Sequence, residues 1–291
     1  MTTLRWRSPQ KVFEQIQTLR ERYGIRQVQF FDDTFTANKQ GVLQLCKMIR
    51  DAKLDITFSC YARGDCFSDE MAKALKSAGC HQVMVGIETG SERIMKVIKK
   101  PINKQKYADV VRIAHAHDIE VRAGFIIGNM EETWETMEES LQFAIDLDVD
   151  FLQLSISTPY PGTALFKQAL EEGRLRHTEY KRYGQGEPVV SLDHLTNDQI
   201  AAFERYAWRK FYLRPKQLLR QLRRATSIRQ IMDLYNAFSL LIMNKMLNSD
   251  PQWAQWDRET EEEQYDLPVA HDPQRVRLTY ELRKNWDAAA S

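Results

Sequence analysis

The fold is decided by residues 82–90, which read Gln-Val-Met-Val-Gly-Ile-Glu-Thr-Gly. The stretch begins with a short, mostly apolar run of the kind that forms a buried strand, and Glu88 follows at the strand's carboxyl end. A helical pattern precedes the strand at residues 69–78, and another follows it at residues 104–117. A strand between two helices is typical of a βα repeat, in which the strands pair in parallel.

The same alternation extends along the chain in both directions. It predicts further helices over 9–23, 39–52 and 133–147, and further strands over 28–31, 56–60, 120–127 and 151–157. Five strands separated by helices predict an α/β fold with a parallel sheet. Ligands bind such sheets at the carboxyl ends of the strands. We therefore expect one rim to carry the polar residues that end these strands: Asp32, Asp33, Arg63, Glu88, Gly128 and Thr158.

The two ends of the chain depart from this alternation. It opens on a helix, capped by Ser8 and Pro9, without the strand that would normally come first, so we hypothesise that a strand and its loop are missing there. Beyond Gly173 we expect a loop over 174–195, a helix from the Thr196 cap to Tyr212, and helices over 216–224 and 227–247. The sequence thus predicts two domains, 1–173 with the alternating elements and 174–291 as a helical extension with a polar tail.

Composition excludes several classes of protein. The chain has 291 residues, of which 43% are hydrophobic and 28% charged, so it can bury a core. Its net charge is +1, so it has no overall electrostatic field that would attract nucleic acid. It lacks the run of about 20 apolar residues that a membrane span needs, and its first residues include no apolar segment, so we expect no secretory signal. The four cysteines form no CxxC pair, which favours reduced thiols, no metal site in the chain, and a cytoplasmic location.

One basic stretch leaves two interpretations open. Nine lysines and arginines fall between Arg205 and Arg229, and the segment 257–266 is acidic. We favour a solvated helical face balanced by that acidic segment. Contact with RNA phosphates is the alternative, and its salt dependence would identify it.

The residues at the strand ends have competing interpretations as well. Glu88 can accept hydrogen bonds from an ammonium group or a ribose hydroxyl, or it can face solvent in a capping loop. Gly124, inside a strand, indicates either the close approach of another group or a bulge. Arg63 and Arg122 are candidate carboxylate clamps, although surface placement is the favoured interpretation for each arginine taken singly. In a regular strand, Arg122 shares a face with Gly124 and Ile126, opposite Val121, Ala123 and Phe125.

The paired acids Asp32 and Asp33 suit polar contact with a ligand, although capping of the next helix or turn formation is the favoured role for at least one of them. Glu131 and Glu132 suit the first turn of the helix predicted over 133–147. The histidines form no ligand set, because His115 and His117 lie two residues apart on a helix and do not share a face.

Five stretches, taken together and in order, resemble the radical S-adenosylmethionine (SAM) enzymes, most closely the branch that often carries an N-terminal cobalamin-binding domain. They are Arg7-Ser-Pro9, Phe31-Asp-Asp-Thr-Phe-Thr36, Gly86-Ile-Glu-Thr-Gly90, Gly124-Phe-Ile-Ile-Gly128 with Glu-Glu-Thr133, and Thr158-Pro-Tyr-Pro-Gly-Thr163. The resemblance implies a partial, TIM-like (β/α)6 barrel lacking its first strand, followed by the α-helical C-terminal extension.

The resemblance also implies a chemistry. SAM would chelate the unique iron of a [4Fe-4S] cluster through its amino and carboxylate groups. Electron transfer would then cleave SAM to a 5′-deoxyadenosyl radical for methyl transfer or C–H functionalisation of a small-molecule substrate. By motif position, Glu88 resembles the residue that contacts the SAM amino group or ribose. Gly124, Ile126 and Gly128 resemble the adenine-side motif, and Asp32 and Asp33 the strand-end acids near the active site. A flavodoxin or ferredoxin is the implied reductant, and cobalamin a further cofactor if a domain precedes this sequence.

Two departures from the family pattern limit this expectation. The CxxxCxxC motif that holds the cluster is absent, and the four cysteines, at positions 46, 60, 66 and 80, do not match its spacing. The usual Leu-Pro-Gly-Glu-Thr is replaced by residues 129–133, Asn-Met-Glu-Glu-Thr. The sequence therefore predicts an inactive fragment of an enzyme, and the cysteine ligands of the cluster would lie outside this chain. The alternative is a degenerate, non-catalytic barrel that binds a nucleoside or serves assembly.

Overall fold

A computed structural model of the chain describes residues 5–100, 103–176, 183, 188–225 and 227–243. The strands are β1 (Gln27–Phe30), β2 (Thr57–Ala62), β3 (Cys80–Glu88), β4 (Glu120–Ile127) and β5 (Phe151–Ile156). The helices are α1 (Pro9–Tyr23), α2 (Lys39–Asp51), α3 (Asp69–Ser77), α4 (Glu92–Val97), α5 (Lys104–Ala116), α6 (Trp134–Asp146), α7 (Ala164–Glu171), α8 (Asn197–Tyr212), α9 (Pro215–Arg224) and α10 (Ile228–Met243).

The five strands form one parallel sheet in the order β1-β2-β3-β4-β5, curled into a half-barrel. Each strand therefore lies beside its neighbour in sequence, as short βα connections favour. Among the described residues β1 is an edge strand that pairs with β2 alone. The predicted α/β fold with five parallel strands is confirmed.

Capping residues fix the ends of the helices as the sequence predicts. The Ser8 side chain accepts from the backbone N–H of Lys11, Pro9 opens α1, and Gly24 ends it in a left-handed conformation with φ of +66°. Thr196 and Gln199 form a reciprocal capping box at the start of α8.

The chain divides into two compact units. The first comprises Met1–Gly90, Pro101–Phe125 and Gln142–Gln153. Its core is formed by apolar side chains of β2, β3 and β4, such as Phe58, Val83 and Phe125, each at most 1% exposed.

The second unit comprises Ser91–Lys100, Ile126–Leu141 and Leu154–Ser291. One of its apolar clusters joins Met130, Phe166 and Val189. In another contact, the Trp134 ring packs edge-on against Phe203, with the ring centroids 5.1 Å apart. Such aromatic packing contributes to stability beyond the area it buries.

Several elements differ from the prediction. The helices α4 and α7 were not expected, and Leu175 forms an isolated antiparallel bridge with Val190 within the predicted loop. The helix α6 begins at Trp134, so Glu131 and Glu132 precede it and Glu135 is the acid of its first turn. The polar tail, residues 248–291, lies outside the described residues, and the domain boundary at residue 173 stays a prediction. No helix in the described part of the chain has the length and hydropathy to cross a membrane.

Candidate functional site

Glu88 ends β3 in a conformation that few non-glycine residues adopt. Its φ is +74°, and the register between β3 and β4 shifts there, because Gly86 pairs with Gly124 whereas Glu88 pairs with Phe125. A left-handed backbone at such a residue costs about 1–3 kcal/mol and concentrates at functional sites. The irregularity re-aims the Glu88 side chain at the carboxyl end of the strand, as bulges next to active sites do.

Gly86 makes room for this carboxylate. A Cβ at position 86 would lie 2.7 Å from Oε1 of Glu88, closer than real Cβ atoms approach other atoms. The Glu88 side chain therefore folds back over the glycine. The sequence suggested that the flanking glycines admit a ligand, and for Gly86 the nearest neighbour is instead the carboxylate itself.

Tyr107 of α5 contacts this end of the strand, and the sequence pattern did not predict this contact. Its hydroxyl donates to the backbone carbonyl of Gly86 over 3.2 Å. Burial raises the pKa of the Tyr107 hydroxyl, and the negative charges of Glu88 and Asp65 raise it further. Tyr107 falls on the apolar face of its helix with Val110 and Ala114, so periodicity identifies it only as a core residue.

Arg63, one of the two candidate clamps, is already engaged. Its Nε and Nη2 donate to the two carboxylate oxygens of Asp65 over 2.6 and 2.7 Å. Hydrogen bonding from Arg63 lowers the pKa of the Asp65 carboxyl to about 2, and the same pairing raises the pKa of Arg63. Asp65 therefore already balances the charge that a ligand carboxylate at Arg63 would need.

Arg122, the second candidate, lies where the strand pattern placed it. Exposure alternates strictly along β4, with Arg122, Gly124 and Ile126 on the less buried face and Val121, Ala123 and Phe125 on the buried one. The Nε of Arg122 donates to the side-chain carbonyl of Gln82 over 3.1 Å. The guanidinium carbon lies 5.1 Å from the centroid of the Phe151 ring.

The backbone conformation and packing at position 124 do not require a glycine. Its φ is not positive, and a Cβ there would meet only ordinary contacts, 3.8 Å from the Val85 carbonyl oxygen and 3.9 Å from Cα of Gly86. Neither strain nor crowding explains the missing side chain. Of the two readings that the sequence left open, room for another group fits this position better.

Asp32 and Asp33 follow β1 and are exposed. Neither caps the next helix: the side chain of Asn38 accepts from the backbone N–H of Gly41 at the start of α2, because Phe35–Ala37 form a short 3-10 turn in between. The capping role expected of the aspartates is therefore wrong, while Asp33 does lie in the turn that leads into this segment.

In the second unit, Gly128 has a structural requirement of its own. Its φ is +75°, and a Cβ there would lie 3.4 Å from the Ile200 side chain. Next to it, Glu132 is fully buried, and its Oε2 accepts from the backbone N–H and the side-chain amide of Asn129 over 2.7 and 3.2 Å. Burial raises the pKa of the Glu132 carboxyl from its ordinary 4.5 to about 7. Glu132 thus closes the 128–132 loop instead of starting a helix.

The cysteines do not fit an iron–sulfur cluster, which needs thiolate ligands converging on one accessible site. Cys46, Cys60 and Cys80 are buried; burial raises the pKa of Cys46 to about 12, and hydrogen bonding with Cys80 together with burial raises that of Cys60. Cys66 lies apart, with its thiol 3.3 Å from Asp65. Within the described ranges, no group of three or more His, Cys, Asp or Glu side chains is arranged to hold a metal ion.

Several known proteins are similar to this chain in sequence. Residues 1–144 match the model of the radical SAM superfamily. An uncharacterized methyltransferase of Pyrococcus horikoshii is 39% identical over 220 residues, which are 75% of this chain and 48% of the relative. An anaerobic magnesium-protoporphyrin IX monomethyl ester cyclase of Cereibacter sphaeroides is 26% identical over 78% of this chain and 37% of its own length. The chain thus spans about half or less of these relatives.

Solved structures agree on the fold. The cobalamin-dependent SAM radical enzyme OxsB matches with a TM-score of 0.56 and 16% identity, covering 100% of this chain and 52% of its own. The radical SAM methyltransferase TsrM of Kitasatospora setae matches with a TM-score of 0.52 and 19% identity, covering 57% and 32%. Sequence match, relatives and fold lead to one conclusion: the chain belongs to the radical SAM superfamily.

Proposed function

We propose that this chain is the SAM-binding part of a radical SAM methyltransferase. The observation that carries the proposal is Gly124, a strand glycine that neither backbone strain nor packing explains. It pairs in register with Gly86, directly beside the re-aimed Glu88 carboxylate. Backbone that no side chain covers at Gly124, next to a carboxylate, suits a ligand with a flat ring and hydroxyl or ammonium donors, as a nucleoside with an amino-acid group has.

Each residue has a proposed role. Glu88 accepts hydrogen bonds from the SAM ammonium group or ribose hydroxyls, and Gly124 leaves room for the adenine side of the ligand. Ile126 and Gly128 are proposed as adenine-side contacts from the family resemblance, and Asp32 and Asp33 as the strand-end acids near the reacting groups. Tyr107 positions Glu88 indirectly, since it holds the Gly86 carbonyl.

In this family SAM supplies a 5′-deoxyadenosyl radical or a methyl group. The cysteines of the chain do not fit the [4Fe-4S] cluster, so we propose that its ligands lie outside this sequence, as would a cobalamin-binding domain. Methyl transfer is preferred over other C–H chemistry because the Pyrococcus relative is named as an uncharacterized methyltransferase. A cytoplasmic location, a small-molecule substrate, and a flavodoxin or ferredoxin as reductant complete the proposal.

Calorimetry tests the binding half of this proposal. We expect SAM and S-adenosylhomocysteine to bind the 291-residue chain, and Glu88→Gln to weaken SAM binding about tenfold or more, because a hydrogen bond to a charged group contributes about 1.5–3 kcal/mol. Glu92→Gln, the same chemical change at an exposed position in the next helix, is the matched control and should leave affinity unchanged. Absence of heat with both nucleosides would refute the proposal. Binding without turnover in a longer, cluster-loaded protein would favour the non-catalytic alternative.

A further inference from the structure

Arg122 is held by two anchors that leave part of its guanidinium unused. Its Nε donates to Gln82, and the Gln82 side chain in turn donates to Oε2 of Glu120 over 3.1 Å. Gln82 is only 7% exposed, so this amide is fixed by its surroundings. The Phe151 ring supports the guanidinium from the neighbouring strand. The side chain is therefore fixed in place before any ligand arrives.

Among the described residues, no carboxylate is in direct contact with the charge of Arg122. Its two anchors are a neutral amide and an aromatic ring, and within the described part of the chain Nη1 and Nη2 have no hydrogen-bond partner. Arg63 differs in this respect, because Asp65 occupies its Nε and Nη2 together. Of the two candidate clamps, Arg122 is thus the one whose charge no described carboxylate balances, and its Nη1 and Nη2 present the parallel N–H donors that match the geometry of a carboxylate.

The position of Arg122 along the sheet indicates which carboxylate it would bind. Arg122 pairs in register with Met84, two residues closer to the amino ends of the strands than the Gly86–Gly124 pair. Gln82 pairs with Glu120, a further two residues in the same direction. At about 3.3 Å per residue, Arg122 lies about 7 Å from Gly124 toward the amino ends of the strands. Phe151, the first residue of β5, also lies toward that end. The contacts with Gln82 and Phe151 thus hold the guanidinium away from Gly124, where SAM is proposed to bind.

We propose that Arg122 binds a carboxylate group of the small-molecule substrate, on the less buried face of β4 and deeper in the sheet than SAM. The assignment of that carboxylate to a substrate rests on the proposed function, whereas the anion site itself does not. A monocarboxylate fits better than a phosphate dianion, because a single guanidinium faces the ligand. In addition, the negative Glu120 carboxylate is separated from Arg122 only by the Gln82 side chain that bonds to both.

The test uses the 291-residue chain with 4-fluorobenzoate as the carboxylate probe, followed by ¹⁹F NMR. We expect saturable binding to the wild type, a loss of at least tenfold in Arg122→Met, and an intermediate loss in Arg122→Lys, which keeps the charge but not the paired donors. Arg63→Met is the matched control and should stay within twofold of the wild type. Melting curves verify that each variant folds, and if Arg122→Met does not, the Lys variant decides.

Two outcomes overturn the site. One is equal binding of the probe by the wild type and the Arg122 variants. The other is full displacement of the bound probe by sodium chloride added at the same ionic strength as the probe salt. SAM and 5′-methylthioadenosine, which lacks the carboxylate, separate the two sources of the anion. If Arg122→Met weakens SAM at least tenfold but not methylthioadenosine, the carboxylate is that of SAM and the substrate assignment is wrong. Unchanged SAM affinity supports it. A wild type that binds fluorobenzoate but neither nucleoside leaves the anion site standing and refutes only the proposed function.

Discussion

At the residue scale, Gly86 and Gly124 are paired across two strands, yet a methyl group added to each meets different surroundings. At position 86 it would collide with the Glu88 carboxylate, whereas at position 124 it would meet ordinary contacts. Gly124→Ala should keep or raise stability, by up to about 1 kcal/mol, because alanine reduces the entropy of the unfolded chain. Its SAM affinity should nevertheless fall about tenfold or more, because the methyl group occupies the space proposed for the ligand.

Gly86→Ala serves as the comparison. It should weaken SAM binding by displacing the Glu88 carboxylate, and combining it with Glu88→Gln should add little further loss, since both changes act on one contact. Calorimetry and thermal melts on the single and double variants measure both effects. Wild-type SAM affinity in Gly124→Ala would show that the missing side chain has no bearing on the ligand.

Glu132 predicts a pH dependence of stability. Its carboxyl has a pKa of about 7 in the fold against an ordinary 4.5, so between these values the folded chain holds a proton that the unfolded chain has lost. Stability therefore falls as the pH rises from about 4.5 to about 7. At about 1.4 kcal/mol per tenfold change in proton affinity, the loss is on the order of 3 kcal/mol.

Glu132→Gln isolates this contribution, because glutamine can still accept from Asn129 but cannot ionise. We expect the variant and the wild type to differ by less than about 1 kcal/mol at pH 5 and the variant to be the more stable at pH 8, by up to about 3 kcal/mol. Urea unfolding across this pH range measures the difference. A difference that stays constant with pH would contradict the assignment.

At the element scale, two histidine–aspartate pairs of equal length test what burial contributes. His115 and Asp150 are 2.8 Å apart, as are His117 and Asp69. The Asp150 side chain is 1% exposed and also accepts from the backbone N–H of Val121, so it joins α5 to the starts of β4 and β5; that of Asp69 is 76% exposed.

Asp150→Ala should cost about 3 kcal/mol, because it leaves a buried backbone N–H and a histidine without their partner. Asp69→Ala should cost less than about 1 kcal/mol, as exposed ion pairs do. Urea midpoints at constant m-value report both. Equal losses in the two variants would mean that burial does not set the strength of these pairs.

Most of the elements that the sequence predicted are long enough to show a repeating pattern of apolar residues. The strand β4 has the predicted bounds, and its alternation placed Arg122 and Gly124 on the correct face, because side chains of a strand alternate whatever packs on them. The helix α4 spans six residues, too few for a helical period, and was missed. The Arg63–Asp65 pairing, the burial of Glu132 and the contact of Tyr107 with Gly86 depend on rotamers and on neighbours distant in sequence, which no local pattern encodes.

At the scale of the whole molecule, the four cysteines connect the fold to the chemistry that the chain can support alone. Three of them, Cys46, Cys60 and Cys80, are buried, and Cys66 is partly exposed. In the native chain, we expect a thiol reagent such as dithionitrobenzoate to titrate one thiol rapidly, and four after denaturation, because only accessible thiolates react. Cys66→Ser should remove the rapid phase, and Cys46→Ser should leave it unchanged.

The same accessibility determines what iron can bind. A [4Fe-4S] cluster needs several thiolates within reach of one another, and the chain offers a single accessible one, so anaerobic reconstitution with iron and sulfide should leave it without a stoichiometric four-iron cluster. Mössbauer spectroscopy and iron analysis make the measurement, with Cys66→Ser as the variant that removes adventitious iron at the exposed thiol. A full four-iron spectrum would require the buried thiols of Cys46, Cys60 and Cys80 to leave the core. Because those residues lie on α2, β2 and β3, loading would then be accompanied by loss of the sheet, which circular dichroism on the same samples would detect.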